Sequence, residues 1–253
     1  MKSRGSVNLA LAASLLLPLA VDGCKKNDDA VDPSSTVNLT EDDAADAFAS
    51  ALAGSQGTCG FTTQIEEAAT VTAGTVIPKV AASASALFDT TITRQRSGTY
   101  SYNYVFRYSY GLAAATRFAF SYTMKGTYET PRMSSSDSTG ASLEVTNLLA
   151  GQTYTVAALY NRYGSQTSKV RNKVSFRSTI IVSITDLLVD KTTKRITGGN
   201  ATVSINGQTS SGRVYAFVGT VTFLGAQQAT LVISGRTFIL DLAFGTVTAI
   251  GTT

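Results

Sequence analysis

Thr99-Tyr100-Ser101-Tyr102-Asn103-Tyr104-Val105-Phe106-Arg107-Tyr108-Ser109-Tyr110 decides the fold, because a ring falls on every second residue. Successive side chains of a strand point to opposite faces, so a period of two sets six rings in one row and Thr, Ser, Asn, Val and Arg in the other. Beyond residues 111–116 the pattern resumes as Phe118, Phe120, Tyr122, Met124 and Tyr128. The two runs predict an antiparallel hairpin whose aromatic rows share one face. At about 3.3 Å per residue the first run alone covers roughly 33 Å, twice an ordinary strand.

The same alternation returns along the chain, in Leu143-Val145, Tyr154 to Tyr160, Val174 to Ile184, Ala201 to Ile205, Tyr215 to Phe223, Ala229 to Ile233 and Phe238 to Phe244. Ser134 to Gly140, Asp190 to Thr193, Gly198 to Asn200 and Ser210 to Gly212 carry turn chemistry and are predicted as the connections. Short connections between long strands make antiparallel neighbours, hence a meander. Eight to eleven strands with one apolar face each do not stay flat. The expected class is therefore all-β, a long-stranded antiparallel meander curled into a barrel, a half-barrel or a sandwich.

One short amphipathic helix is expected at about residues 40–53. Thr40 caps it, Glu41, Asp42 and Asp43 sit at the positive end of its dipole, Ala44, Ala47, Phe48, Ala51 and Leu52 form a stripe, and Gly54 ends it. Residues 60–97 are less legible: Thr70 to Ile77 suits a strand, and Ala81 to Phe88 suits helix or strand. Residues 40–253 read as one β-rich domain, with strands mainly at 70–250, behind a polar tether at 24–39.

Composition excludes much chemistry. The chain has no His and no Trp, so imidazole bases, His ligands and Ser-His or Cys-His nucleophiles are ruled out. Cys24 and Cys59 are its two cysteines, and Cys59 lies in the Gly-flanked turn Gly57-Thr58-Cys59-Gly60. Asp89, Glu129, Asp137, Glu144, Asp186, Asp190 and Asp241 are the carboxylates of the β body, and no motif pairs them for glycosidase work. Phosphate-binding and dinucleotide loops are absent from the sequence. The expectation is a protein that is not an enzyme, with no catalytic residues, no cofactor and no metal.

The first residues read as a targeting signal. Lys2 and Arg4 precede an apolar run from Leu9 to Val21, followed by Asp22-Gly23-Cys24. Val21-Asp22-Gly23-Cys24 resembles the lipobox of bacterial lipoproteins, with Asp22 where that pattern has a small or apolar residue. The resemblance implies a signal peptide over 1–23, removed so that Cys24 leads the mature chain and carries a diacylglycerol and an amide-linked acyl chain such as palmitate. Two chains or more anchor stably where one does not. Lys25-Lys26-Asn27-Asp28-Asp29 resembles the tag behind the acylated Cys in surface-exported lipoproteins of the Bacteroidota, which implies an outer-membrane protein facing the cell exterior. Asp89-Thr90-Thr91 and Asp137-Ser138-Thr139 are similar to O-glycosylation signals of the same group.

Two features point to ligands. Tyr100, Tyr102, Tyr104, Tyr108, Tyr110, Phe118, Phe120 and Tyr122 are candidate ligand-facing aromatics, because Tyr hydroxyls suit a wet groove or a cavity as well as a core. Charge is split, with two basic and nine acidic side chains in residues 24–67 and 17 basic and seven acidic in residues 68–253. Arg94, Arg96, Arg107, Arg117 and Lys125 flank the aromatic hairpin, and Lys169, Arg171, Lys173 and Arg177 are expected along one strand face. Such a cationic body suits an anionic glycan, lipopolysaccharide or lipid, and the compartment disfavours nucleic acid. The expected function is a membrane-anchored envelope lipoprotein with a non-catalytic β domain for binding or envelope structure. The alternatives are a lipid or lipoprotein carrier with an aromatic concave face, an architectural likeness to lipoprotein chaperones, and an outer-membrane barrel, whose lipid-facing rows Asn147, Ser178 and Gly219 would break.

Overall fold

The computed structural model describes residues 38–75, 88–114 and 116–250, so the signal segment, Cys24 and most of the tether lie outside the described residues. Two helices come first, α1 (Glu41–Leu52) and α2 (Phe61–Gly74). Eleven strands follow: β1 (Phe88–Arg96), β2 (Ser101–Ala114), β3 (Arg117–Glu129), β4 (Met133–Thr146), β5 (Thr153–Ser168), β6 (Ser175–Asp190), β7 (Ile196–Thr209), β8 (Val214–Gly225), β9 (Gln228–Ile233), β10 (Arg236–Asp241) and β11 (Thr246–Ala249). They form one antiparallel sheet in sequence order, a meander that is not closed into a barrel.

Its curl follows from what α1 touches. That helix packs on β4, β5, β7, β9, β10 and β11. Laid flat, β4 and β11 would stand about 34 Å apart at ~4.8 Å per strand, whereas a helix is only about 10–12 Å thick. The sheet therefore wraps α1, and every residue of the helix from Asp43 to Leu52 is buried. At the seam between the two edge strands, Arg94 of β1 pairs with Glu67 of α2 at 2.8 Å, and the Tyr100 ring packs on Phe244 at 5.3 Å.

Glycines make the tight curvature sterically open. Register aligns Tyr104, Gly126, Asp137, Gly164, Ser178, Gly207 and Tyr215 as one row across seven strands. A Cβ on Gly126 would fall on Asn103 O, on Gly164 upon Asp137 Cβ, and on Gly207 upon Arg177 O, each inside the 3.0 Å that real Cβ atoms respect. Alternating large and absent side chains let neighbouring strands close on one another there.

Several local expectations are corrected. Thr70 to Gly74 belongs to α2 rather than to a strand, because Phe61, Ile65, Ala68, Ala69 and Thr72 recur at helical spacing and all are buried. Residues 76–87, which include Val76, Ile77 and Ala81 to Leu87 of the two uncertain segments, lie outside the described residues, and Phe88 opens β1. Ser134 to Gly140 is the first half of β4, and Gly198 to Asn200 lies within β7, beside a register shift against β6. Lys169, Arg171 and Lys173 stand in the β5–β6 connection, so only Arg177 of that group is on a strand. Instead of a one-sided stripe, α1 is buried all round.

Candidate functional site

The aromatic hairpin faces inward. Tyr104, Tyr108, Phe118, Phe120 and Tyr122 are buried in the core, whereas Tyr100, Tyr102 and Tyr110 at the ends of the row are half-buried. Core packing places the rings in contact, for example Phe106 stacked on Tyr108 at 5.4 Å and Tyr108 tilted on Phe120 at 5.4 Å. Two of the buried hydroxyls find partners on the helices that fill the sheet. Tyr108 donates to Gln64 Oε1 of α2 at 2.7 Å, and Tyr160 reaches the Ala51 carbonyl of α1 at 3.5 Å. Burial pushes the phenol of Tyr160 up to about 12 and raises those of Tyr104, Tyr108, Tyr122 and Tyr128.

Beneath the middle of β4 and β5 lies a buried ion pair. Arg162 donates through Nη2 to Asp137 Oδ2 at 2.5 Å, and both side chains are at most 2% exposed. Ser135 donates to the same oxygen at 2.8 Å, Tyr104 does so at 3.4 Å, and the guanidinium stands over the Tyr128 ring at 4.8 Å. Asp137 Oδ1, Arg162 Nε, Thr139 Oγ1 and the hydroxyls of Tyr122 and Tyr128 have no protein partner. A buried polar cluster of this kind stiffens the core around it where its members are satisfied.

At one end of the sheet, arginines from four successive turn regions converge on the acidic start of α1. Arg132 donates to Asp46 at 2.7 and 3.0 Å, and Arg171 donates to Asp43 at 2.9 Å and also to Asp46. Arg236 donates to Asp42 at 2.9 and 3.2 Å, and Arg213 to the Asn38 side chain at 2.6 Å. Thr40 completes a capping box with Asp43, whose carboxylate accepts from the Thr40 N–H at 3.1 Å. The carboxylates of Asp42, Asp43 and Asp46 are thus neutralised by arginines of the β body.

The opposite end carries a cleft of about 350 Å³. Connections β6–β7, β8–β9 and β10–β11 meet there with the α1–α2 loop. Gln56, Thr62, Glu66, Arg195, Gln227 and Gln228 supply its polar groups over a floor of Ile196 and Leu242. Arg195 donates to Glu66 at 2.8 Å, and burial raises the Glu66 carboxyl while Arg195 pulls it back. Gly225, Ala226 and Gln227 all take positive φ, an unusual succession that turns their backbone along the rim. A carboxylate, a guanidinium and three carboxamides suit hydrogen bonding to a small polar ligand.

No family model, no curated protein and no solved structure matches the chain. Among the described residues, no group of three or more His, Cys, Asp or Glu side chains is placed to hold a metal ion. Cys59 is buried with φ 56°, and burial raises its thiol pKa. From the sequence, Arg132, Arg213, Arg236 and the cleft were missed, and Arg171 was expected only as part of a strand face. A basic residue in or beside each of four alternate turns, set against an acidic helix start, was the available signal for the arginines; the cleft is built from segments too far apart in sequence to leave one.

Proposed function

We propose that the protein is an envelope lipoprotein, held to the outer membrane through lipid on Cys24, with a β domain that binds rather than catalyses. Support begins with the lipobox-like Val21-Asp22-Gly23-Cys24 and the Lys-Lys-Asn-Asp-Asp segment behind it. The observation that carries the reading is the first of these, a Cys placed close behind a basic start and an apolar run. Among the described residues, the end cleft of Gln56, Glu66, Arg195 and Gln227 supplies polar groups suited to a ligand. Surface display follows from the export tag, and an anionic glycan or lipopolysaccharide is the partner class that a cationic body in that compartment meets. A carrier function would need the concave face, and α1 and α2 fill it.

Cells fed an alkyne fatty acid are expected to label the wild-type chain and not Cys24→Ser. Protease added to intact cells is expected to shave the labelled protein. Absence of label sinks the anchor, and resistance to protease until the outer membrane is broken sinks surface display.

A further inference from the structure

From Ser134 to Ser142, β4 presents only small residues outward: Ser134, Ser136, Ser138, Gly140 and Ser142. Over eight residue steps this makes a floor about 26 Å long at ~3.3 Å per residue. The neighbouring strands raise walls. Register sets Lys125 beside Ser138, with Tyr163 on its other side, and sets Thr123 and Asn161 on either side of Gly140. Tyr163 is 56% exposed, so its ring is open to the outer surface. Above Gly140 a Cβ would meet nothing within 4 Å, and two adjoining depressions of about 650 and 500 Å³ share Arg107, Thr123 and Gly140.

The middle of this trough is cationic apart from Asp89, which lines one depression beside Arg107. Asp137 points inward to Arg162. Glu129 and Glu144, at the two ends, are paired with Lys169 and Arg117. Lys125 makes no ion pair among the described residues, and Arg107 has only a loose, exposed contact with Asp89 at 3.6 Å. Of the other cations noted in the sequence, Arg94 is engaged with Glu67 and Arg96 with the Ser55 and Gln56 carbonyls, whereas Lys173 and Arg177, away from the trough, make no ion pair among the described residues. Backbone groups of β4 are paired on both sides, so an added peptide strand has nothing to bond.

We infer that the outer trough along β4 binds a linear, uronic-acid-bearing polysaccharide, with Tyr163 as a stacking platform, Lys125 and Arg107 as carboxylate partners, and the serine floor hydrogen-bonding sugar hydroxyls. This surface is separate from the end cleft, and its occupancy does not depend on Cys24.

The test titrates the full chain, purified in non-ionic detergent, with a fluorescent oligogalacturonate, and with neutral oligomaltose and a single-stranded oligonucleotide as competitors. Oligogalacturonate is expected to bind, to weaken with salt, and to resist both competitors. Tyr163→Ala, Lys125→Glu and the trough-filling Gly140→Tyr are each expected to weaken it about ten-fold, the equivalent of losing one good contact. Lys173→Glu, the same charge change in the β5–β6 connection, is expected to leave it unchanged. All four sites are on the surface, and unchanged melting curves verify folding. No binding of oligogalacturonate overturns the inference. So does equal weakening by Lys173→Glu, which would mean unspecific attraction, or displacement by the oligonucleotide at lower concentration than oligogalacturonate itself.

Discussion

Arg162 and Asp137 show how much a single buried pair commits the residues around it. Taking both charges out of water costs several kcal/mol, which their attraction repays only with good geometry and further hydrogen bonds. Here Ser135 and Tyr104 supply those bonds, and Tyr128 offers its face to the guanidinium. Gly164 must lack a Cβ to let Asp137 sit where it does. Removing one partner strands the other charge, so Arg162→Met is expected to cost about 3–5 kcal/mol in urea denaturation. Arg162→Met with Asp137→Leu should cost clearly less than the single change, because no uncompensated charge is left. A double variant as unstable as the single one would show that shape, not charge, sets the cost at this site.

At the scale of elements, α1 behaves as a ligand of the sheet. Asp46 is 1% exposed and accepts from Arg132 and Arg171, whereas Asp42 is 32% exposed and meets Arg236 on the surface. Charge-assisted bonds to a buried acceptor are worth about 1.5–3 kcal/mol each, and an exposed pair about 0–1 kcal/mol. Asp46→Asn is therefore expected to lower stability by about 2 kcal/mol or more at low and high salt alike. Asp42→Asn should cost under about 1 kcal/mol and lose even that at high salt; equal losses in urea titrations would refute the ranking. The strands themselves were legible wherever one face is apolar, as in β2, β3 and β6. Ser134 to Gly140 was not, because β4 is polar on both faces: small residues line the trough outside, and Ser135, Asp137 and Thr139 surround the ion pair inside. With no contrast between faces, a strand loses its period and reads as a turn. For α2 the helical spacing of Phe61, Ile65, Ala68, Ala69 and Thr72 was present, but Gly60 offers no side-chain cap and the Thr-rich end imitates a strand. The aromatic row was read correctly as a strand face; its middle rings lie in the core, where Tyr108 donates to Gln64 of α2, a contact that no period in β2 records.

For the whole molecule, the absence of His removes the one side chain whose ordinary pKa falls between about 5 and 8. Stability is accordingly expected to stay level from about pH 6 to 8, beyond which the raised thiol of Cys59 begins to contribute a loss. Above that the tyrosines decide. Burial raises the phenols of Tyr104, Tyr108, Tyr122, Tyr128 and Tyr160 in the folded chain, the last to about 12, whereas an unfolded tyrosine loses its proton near 10. A folded-state pKa above the unfolded one means that the folded state holds the proton more tightly. The stabilising contribution is complete below pH ~10 and declines as pH rises through the window from about 10 to 12. Five such groups in one core titrate against the same folded state, so their losses combine, and the sheet is expected to unfold cooperatively inside that window. Tyrosinate absorbance from the buried rings and the loss of the circular dichroism of the sheet should then share one midpoint. If the absorbance change of all five rings is complete while the dichroism stays native, their hydroxyls reach solvent in the folded state, and the aromatic face is a wet cavity rather than the core around α1 and α2.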